Sequence, residues 1–116
     1  MILRNWTFFY YNFLNVVNLH FPDGTPIYTD VASAKVMKEP ARADWARTTP
    51  ISWTTTDRNK YKDWFNKTYP NVYDWSLNEV HHMRPRNLGG TNDYSNLIPI
   101  PIHHHRSVVS PWFVAY

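Results

Sequence analysis

The sequence predicts a small α+β fold, and three observations predict it. Residues 77–82, LNEVHH, run without a breaker in an alternating pattern and read as a strand, and 96–100, NLIPI, read as a second short strand. Pro101 then suits the first turn of a helix, where its missing N–H loses nothing, so that a helix is expected from about Ile102 to Ser110, stopped by Pro111. Upstream, Tyr61, Trp64, Phe65 and Tyr69 recur at the i, i+3, i+4, i+8 spacing of one buried helical face. The C-terminal half is therefore helix, strand, loop, strand, helix.

From the start of the chain, Trp6 to Phe21 is aromatic and apolar. Asn12, Asn15, Asn18 and His20 interrupt it and no small-residue cleavage site follows, so it reads as core and neither as a signal peptide nor as a membrane span. Its first part, Trp6 to Leu14, fits strand or helix. Val16 to Phe21 and Pro26 to Thr29, joined through Asp23-Gly24, read as a β-hairpin. Ala32 to Lys38 fits a short helix ended by Pro40, and Arg42 to Thr48 a further helical turn before Pro50. Asp57 is the expected N-cap of a helix from Arg58 to about Tyr69, terminated by Pro70; Lys60, Lys62, Asp63 and Lys67 fall on its other face, read first as solvated and alternatively as a nucleic-acid track. Trp112, Phe113 and Tyr116 are expected to fold back onto the core. With no repeat, low-complexity tract or linker, residues 1–116 are expected to form a single domain with its motif core at 77–112.

Composition narrows the function. The 116 residues are 43% hydrophobic and 17% aromatic, enough for a packed core. No cysteine is present, which removes disulfides, cysteine-ligated zinc and thiol nucleophiles. The net charge is +3, split between five Lys/Arg against four Asp/Glu up to Thr56 and seven against five after it. Such a balance permits a polyanionic partner without demanding one, and affinity for nucleic acid would have to come from charge focused near a site.

Chemistry concentrates between Glu79 and Arg106, which hold five of the six histidines in two clusters, with Gly89-Gly90 and Asn96-Leu97 between them. Side chains at successive strand positions leave on opposite faces, so His81 and His82 do not readily bind one ion together, and the natural reading is that one coordinates while the other takes a proton. Imidazole is a suitable base at neutral pH, and a divalent cation stabilises charge building on a phosphate. Arg84, Arg86 and Arg106 offer guanidinium forks for phosphate oxygens, although a solvated arginine fits each equally well. For His103 and His104 the packed or solvated reading is favoured, because on a helix they diverge from His105. Gly-Gly permits positive φ in a tight loop, and Asn96 can hydrogen-bond backbone there.

These residues resemble the HNH, or ββα-metal (His-Me finger), nucleases. The pattern EVHH-x-x-P, a Gly-Gly turn, the Asn96-Leu97 pair and a histidine nine residues after Asn96 is most similar to the branch with a His-His pair, which includes colicin and pyocin DNases and bacterial polymorphic-toxin nuclease domains. The resemblance covers roughly the last 40 residues. It implies a ββα-metal core, preceded here by the hairpin and a packing helix, with His81 and His105 as metal ligands and His82 as general base. It further implies that Asn96 ties the loop to backbone near the base and that Glu79 is an orienting carboxylate beside His81. Where colicin-type members carry another histidine one turn after the helix ligand, this chain has Val109, which leaves more of the ion's shell to water or phosphate.

The expected activity is metal-dependent endonuclease hydrolysis of phosphodiester bonds, with DNA favoured over RNA and one divalent ion (Mg, Mn, Zn or Ni) as cofactor. Nucleic acid is the expected partner, and no membrane. By the same resemblance the chain would be the toxin module of a secreted bacterial protein, restrained by a cognate immunity protein and acting in the cytoplasm of a target cell. Two rivals are a non-catalytic metal-containing nucleic-acid-binding module, for which an intact His82 is superfluous, and a structural metal module, whose sites ordinarily close with four protein ligands.

Overall fold

A computed structural model of the chain describes residues 20–41 and 44–116. Its frame is an antiparallel pair, β1 (Asn78–His82) and β2 (Leu97–Pro101), in the register Asn78↔Pro101, Val80↔Pro99 and His82↔Leu97. Among the described residues the sheet has these two strands, and a strand without a neighbour on its second side tolerates prolines such as Pro99 and Pro101 of β2. The pairing extends past both ends through Met83 N–H to the Asn96 carbonyl (2.8 Å) and Ile102 N–H to the Leu77 carbonyl (3.0 Å).

The sheet is covered on both sides. One side packs Ile98 and Ile100 against Val109 and Phe113, in a core shared with Tyr28, Met37, Trp45, Met83 and Leu88. The other packs Val80 and Leu97 against Tyr61 and Phe65 of helix α1 (Thr55–Thr68), with Trp53, Trp64, Tyr69, Tyr73 and Trp75 around them. Tyr61 also donates its hydroxyl to the Leu97 carbonyl at 3.2 Å, tying α1 to β2. Burial of each such aromatic contributes about 1.5–3 kcal/mol. No helix among the described residues is long and apolar enough to cross a membrane.

Several elements differ from expectation. The N-cap of α1 is Thr54: its hydroxyl accepts from Asp57 N–H (3.1 Å) while the Asp57 carboxylate accepts from Thr54 N–H (2.9 Å), a capping box in which Asp57 is the third helical residue. Residues 32–38 are not a helix. Asp30 N–H bonds the Lys35 carbonyl, Met37 N–H bonds the Tyr28 carbonyl, and Ala34 sits at φ +62°, so the chain reverses in a turn whose arms meet at the Thr29↔Val36 bridge. Asp30 organises that turn, accepting from Ser33 and from the Tyr73 hydroxyl. Within the expected hairpin, the described residues form a turn at 21–25 closed by the single bridge His20↔Pro26; Val16 to Leu19 and the expected element at Trp6 to Leu14 lie outside the described residues, as do Arg42 and Ala43 of the expected turn at 42–48.

Pro111 does not stop the last helix. Helical backbone continues through α2 (Ile102–His104), a π-helical turn (His105–Val109) and α3 (Ser110–Ala115). A proline in a regular helix crowds the carbonyl four residues back; here it falls in the first turn of α3, after a widened turn in which the Ser110 N–H reaches the His105 carbonyl. Phe113 is buried and Trp112 and Tyr116 pack against the same core.

The loop joining the strands is pinned by its glycines. Gly89 has φ +89° as it ends a short 3-10 turn (Arg86–Leu88), while Gly90 donates to the Pro85 carbonyl at 2.9 Å and lies so close to the chain that an added Cβ would sit 1.7 Å from the Arg84 carbonyl oxygen. A methyl there must push backbone apart. Gly90→Ala is therefore expected to lower unfolding free energy by about 1–3 kcal/mol. Urea denaturation checks this; an unchanged midpoint would mean the loop relaxes freely.

Candidate functional site

Alternation along β1 sends Glu79 and His81 toward the C-terminal helical segment and Val80 and His82 toward α1. On the first side the rings of His81 and His105 meet at a centroid distance of 4.8 Å, with His81 Nδ1 3.1 Å from His105 Nε2. His105 Nδ1 is 2.6 Å from Glu79 Oε1, and a carboxylate only accepts, so Nδ1 carries a proton and Nε2 is the nitrogen turned toward His81. Arg106 closes the chain with Nη2 3.1 Å from Glu79 Oε2 and Nε 3.3 Å from Oε1. Partial burial pushes the Glu79 carboxyl up, but the bonds from Arg106 and His105 outweigh it and hold the group below its ordinary value. Glu79 is thus an orienting carboxylate for His105, whereas the expectation put it on His81.

His81 is 5% exposed, and burial first, then the neighbouring histidines, drives its imidazole well below 6.5, so the ring is neutral at neutral pH. Its Nε2 is buried without a hydrogen-bond partner among the described residues. The two preceding residues of the His103–His105 run go elsewhere. His104 packs in the core against Tyr28, its pKa pushed by burial to about 4, and His103 is exposed. His105 begins the π-helical turn, a feature often found at functional positions. Val109, one helical turn after His105, is fully buried in the core, and Ser110 lines the cleft with His105.

On the second side, His82 Nε2 lies 2.9 Å from Asn92 Oδ1 and its ring meets the Trp53 indole edge-on at 4.6 Å. Burial lowers the His82 pKa, the Asn92 bond opposes this, and the charges of Arg86 and Arg58 reinforce it. At neutral pH the ring is a neutral, proton-accepting imidazole. Asn96 holds the loop that carries Asn92: its Oδ1 accepts from Arg84 N–H (2.8 Å), and its Nδ2 donates to the carbonyls of Arg84 (3.0 Å) and Thr91 (2.9 Å). Among the described residues the Asn96 amide bonds backbone alone, at Arg84, two residues beyond His82, and at Thr91, and so ties the loop to the end of β1.

Both faces open onto one cleft of about 790 Å³, lined by His81, His82, His105, Glu79, Trp53, Trp75 and four cationic side chains, Arg58, Lys62, Arg86 and Arg106. Glu79 is the sole carboxylate in that lining, so the mild overall charge is focused where the histidines are. Arg86 donates to the Ile51 carbonyl at 2.5 Å and Arg106 to Glu79. Arg84 departs from expectation. Its guanidinium donates to the carbonyls of Leu88 (2.8 Å) and Asp44 (2.6 Å) and lies over Trp45, outside the cleft lining, so it braces the loop and is not placed to meet a phosphate. Sequence reasoning missed Asn92, Trp53 and Arg58 as site residues, and placed Lys62 on a face read first as solvated. The i, i+4 spacing of Arg58 and Lys62 on α1 was the available signal, since it puts both on one face.

Residues 67–107 match the family model for HNH endonuclease. That stretch runs from the last turn of α1 past His105, and includes both strands, Asn92 and Asn96; Trp53, Arg58 and Lys62 precede it. No curated protein matches the chain, and no solved structure does.

HNH domains are generally metal-dependent, and the donors here can be tested against that requirement. Two imidazole nitrogens bound to one tetrahedral ion at about 2.0–2.1 Å stand roughly 3.3–3.4 Å apart. The His81–His105 separation of 3.1 Å is close to that span, and the Glu79 bond to the far nitrogen of His105 is the customary outer partner of a metal-binding imidazole. Among the described residues no group of three or more His, Cys, Asp or Glu is arranged to hold an ion, whereas closed structural sites ordinarily have four protein ligands.

Proposed function

We propose that the chain is a metal-dependent endonuclease that hydrolyses phosphodiester bonds, on a ββα-metal core formed by β1, β2 and the helical segment that follows. The observation that carries this reading is the sorting of His81 with His105, and of His82 with Asn92, onto the two faces of β1, with both pairs opening into one cation-lined cleft. His81 and His105 would hold the ion. When bound, it supplies neutralisation of the phosphate charge and Lewis-acid activation of the departing 3′ oxygen.

The protein's own groups do the rest. His82, neutral at neutral pH, takes a proton from water as that water attacks phosphorus in line with the departing oxygen. Arg106 and Arg86 face the non-bridging oxygens from the cleft wall, and Glu79 keeps His105 and Arg106 in register. Arg58 and Lys62 extend the cationic lining along α1, where they engage the backbone of the polymer on either side of the scissile bond. Phosphate contacts carry no base information, so cleavage is weakly sequence-specific. The preference for DNA over RNA, the secreted toxin context, the immunity partner and action in a target cell's cytoplasm rest on the resemblance to the colicin and polymorphic-toxin branch alone.

His82→Ala is expected to reduce cleavage of plasmid DNA by about 10²- to 10⁴-fold, with metal binding and melting temperature retained. Wild-type turnover in that variant would remove His82 from its role; retained binding with no activity in the wild type would point to a non-catalytic nucleic-acid-binding module. For the cleft wall, anisotropy of a labelled duplex bound to His82→Ala gives the salt dependence of affinity. Adding Arg58→Gln and Lys62→Gln is expected to flatten the slope by about 0.9 for each phosphate that is no longer neutralised. An unchanged slope would leave α1 outside the binding surface.

A further inference from the structure

The Asn92 amide is held from two directions. Its Nδ2 lies 2.8 Å from the Ser52 carbonyl and its Oδ1 2.9 Å from His82 Nε2. A carbonyl oxygen only accepts, so the group facing Ser52 must be the NH₂, and the group facing His82 must be the amide oxygen. That oxygen also only accepts. His82 Nε2 must then carry the proton, and a neutral imidazole with Nε2–H has its lone pair on Nδ1. Among the described residues Nδ1 has no hydrogen-bond partner, and His82 lines the cleft.

We propose that Asn92 is a positioning residue that selects the tautomer and ring orientation of His82, leaving Nδ1 free toward the cleft as the proton-accepting atom. The neighbouring structure makes the selection stiff. The Asn96 bond to the Thr91 carbonyl fixes the backbone next to Asn92, and Ser52 leads directly into Trp53, whose indole stands edge-on to the His82 ring at an interplanar angle of 82°. Turning the ring over would put a C–H against the amide oxygen and lose the bond. Asn92 therefore joins three segments at one point: the lead-in to α1, the inter-strand loop and the end of β1.

This assignment rests on His82 being the base, but the tautomer itself is measurable without any activity. In protein labelled with ¹⁵N at histidine, metal-free and mildly alkaline, long-range ¹H–¹⁵N correlation is expected to show His82 as a single species with Nε2 protonated and Nδ1 bare. An Nδ1–H pattern would overturn the proposal whatever the enzyme does. In turnover, Asn92→Leu removes the acceptor and is expected to lower kcat on the order of 10- to 100-fold, with KM nearly unchanged. Asn92→Asp, which keeps an accepting oxygen, should recover most of the loss. Equal loss in both variants, or a change confined to KM, would overturn it as well. Full activity in His82→Ala would defeat the nuclease mechanism while leaving the tautomer result standing.

Discussion

Side chains at neighbouring positions of a strand must leave on opposite faces, and the site depends on that constraint. The β1–β2 register turns it into a fixed division: Glu79 and His81 share a face with Ile98 and Ile100 and meet the C-terminal helical segment, while His82 shares a face with Val80 and Leu97 and meets the lead-in to α1. Two adjacent histidines thereby acquire different neighbours. His81 finds another imidazole backed by a carboxylate, and His82 finds an amide oxygen and an indole edge. A slip of one residue in the pairing would exchange the two roles. The register is secured by apolar burial on both faces, since Ile98, Ile100 and Leu97 are all fully buried.

Electrostatics follow from the same arrangement. The cleft draws Arg58 and Lys62 from α1, Arg86 from the loop and Arg106 from the last helical segment, against Glu79 alone. The charges of Arg86 and Arg58 discourage protonation of His82, and the four cations together would attract a polyanion to the same place. Glu79 moderates the effect locally, because its two oxygens are already engaged by His105 and Arg106. The chain thus presents concentrated positive potential with a net charge of only +3.

Much of this was legible from local pattern. The strand, loop, strand and helix order could be read because alternation, Gly89-Gly90 and Pro101 are local signals, and the nine-residue step from Asn96 marked out the histidine that the fold brings to His81. What escaped depends on contacts between distant segments. Arg84 looked equivalent to Arg86 in sequence, yet the Asp44 carbonyl and Trp45 claim one and the cleft receives the other. Asn92 gains its place only because Ser52 lies across from it, forty residues away in the chain. Pro111 read as a terminator because a π-helical turn, which removes the steric conflict, leaves no mark in the sequence. At residues 32–38, buried Asp30 and positive φ at Ala34 override a composition that permits helix.

If β1 separates an ion-holding histidine from a proton-accepting one, the two must respond differently to metal. Titrating one equivalent of zinc into ¹⁵N-histidine-labelled protein, with the imidazole resonances assigned, tests this most directly. His81 and His105 are expected to shift together and saturate together, while His82 keeps its metal-free pattern. Saturating shifts at His82 or His103, with His105 unmoved, would contradict that division of roles.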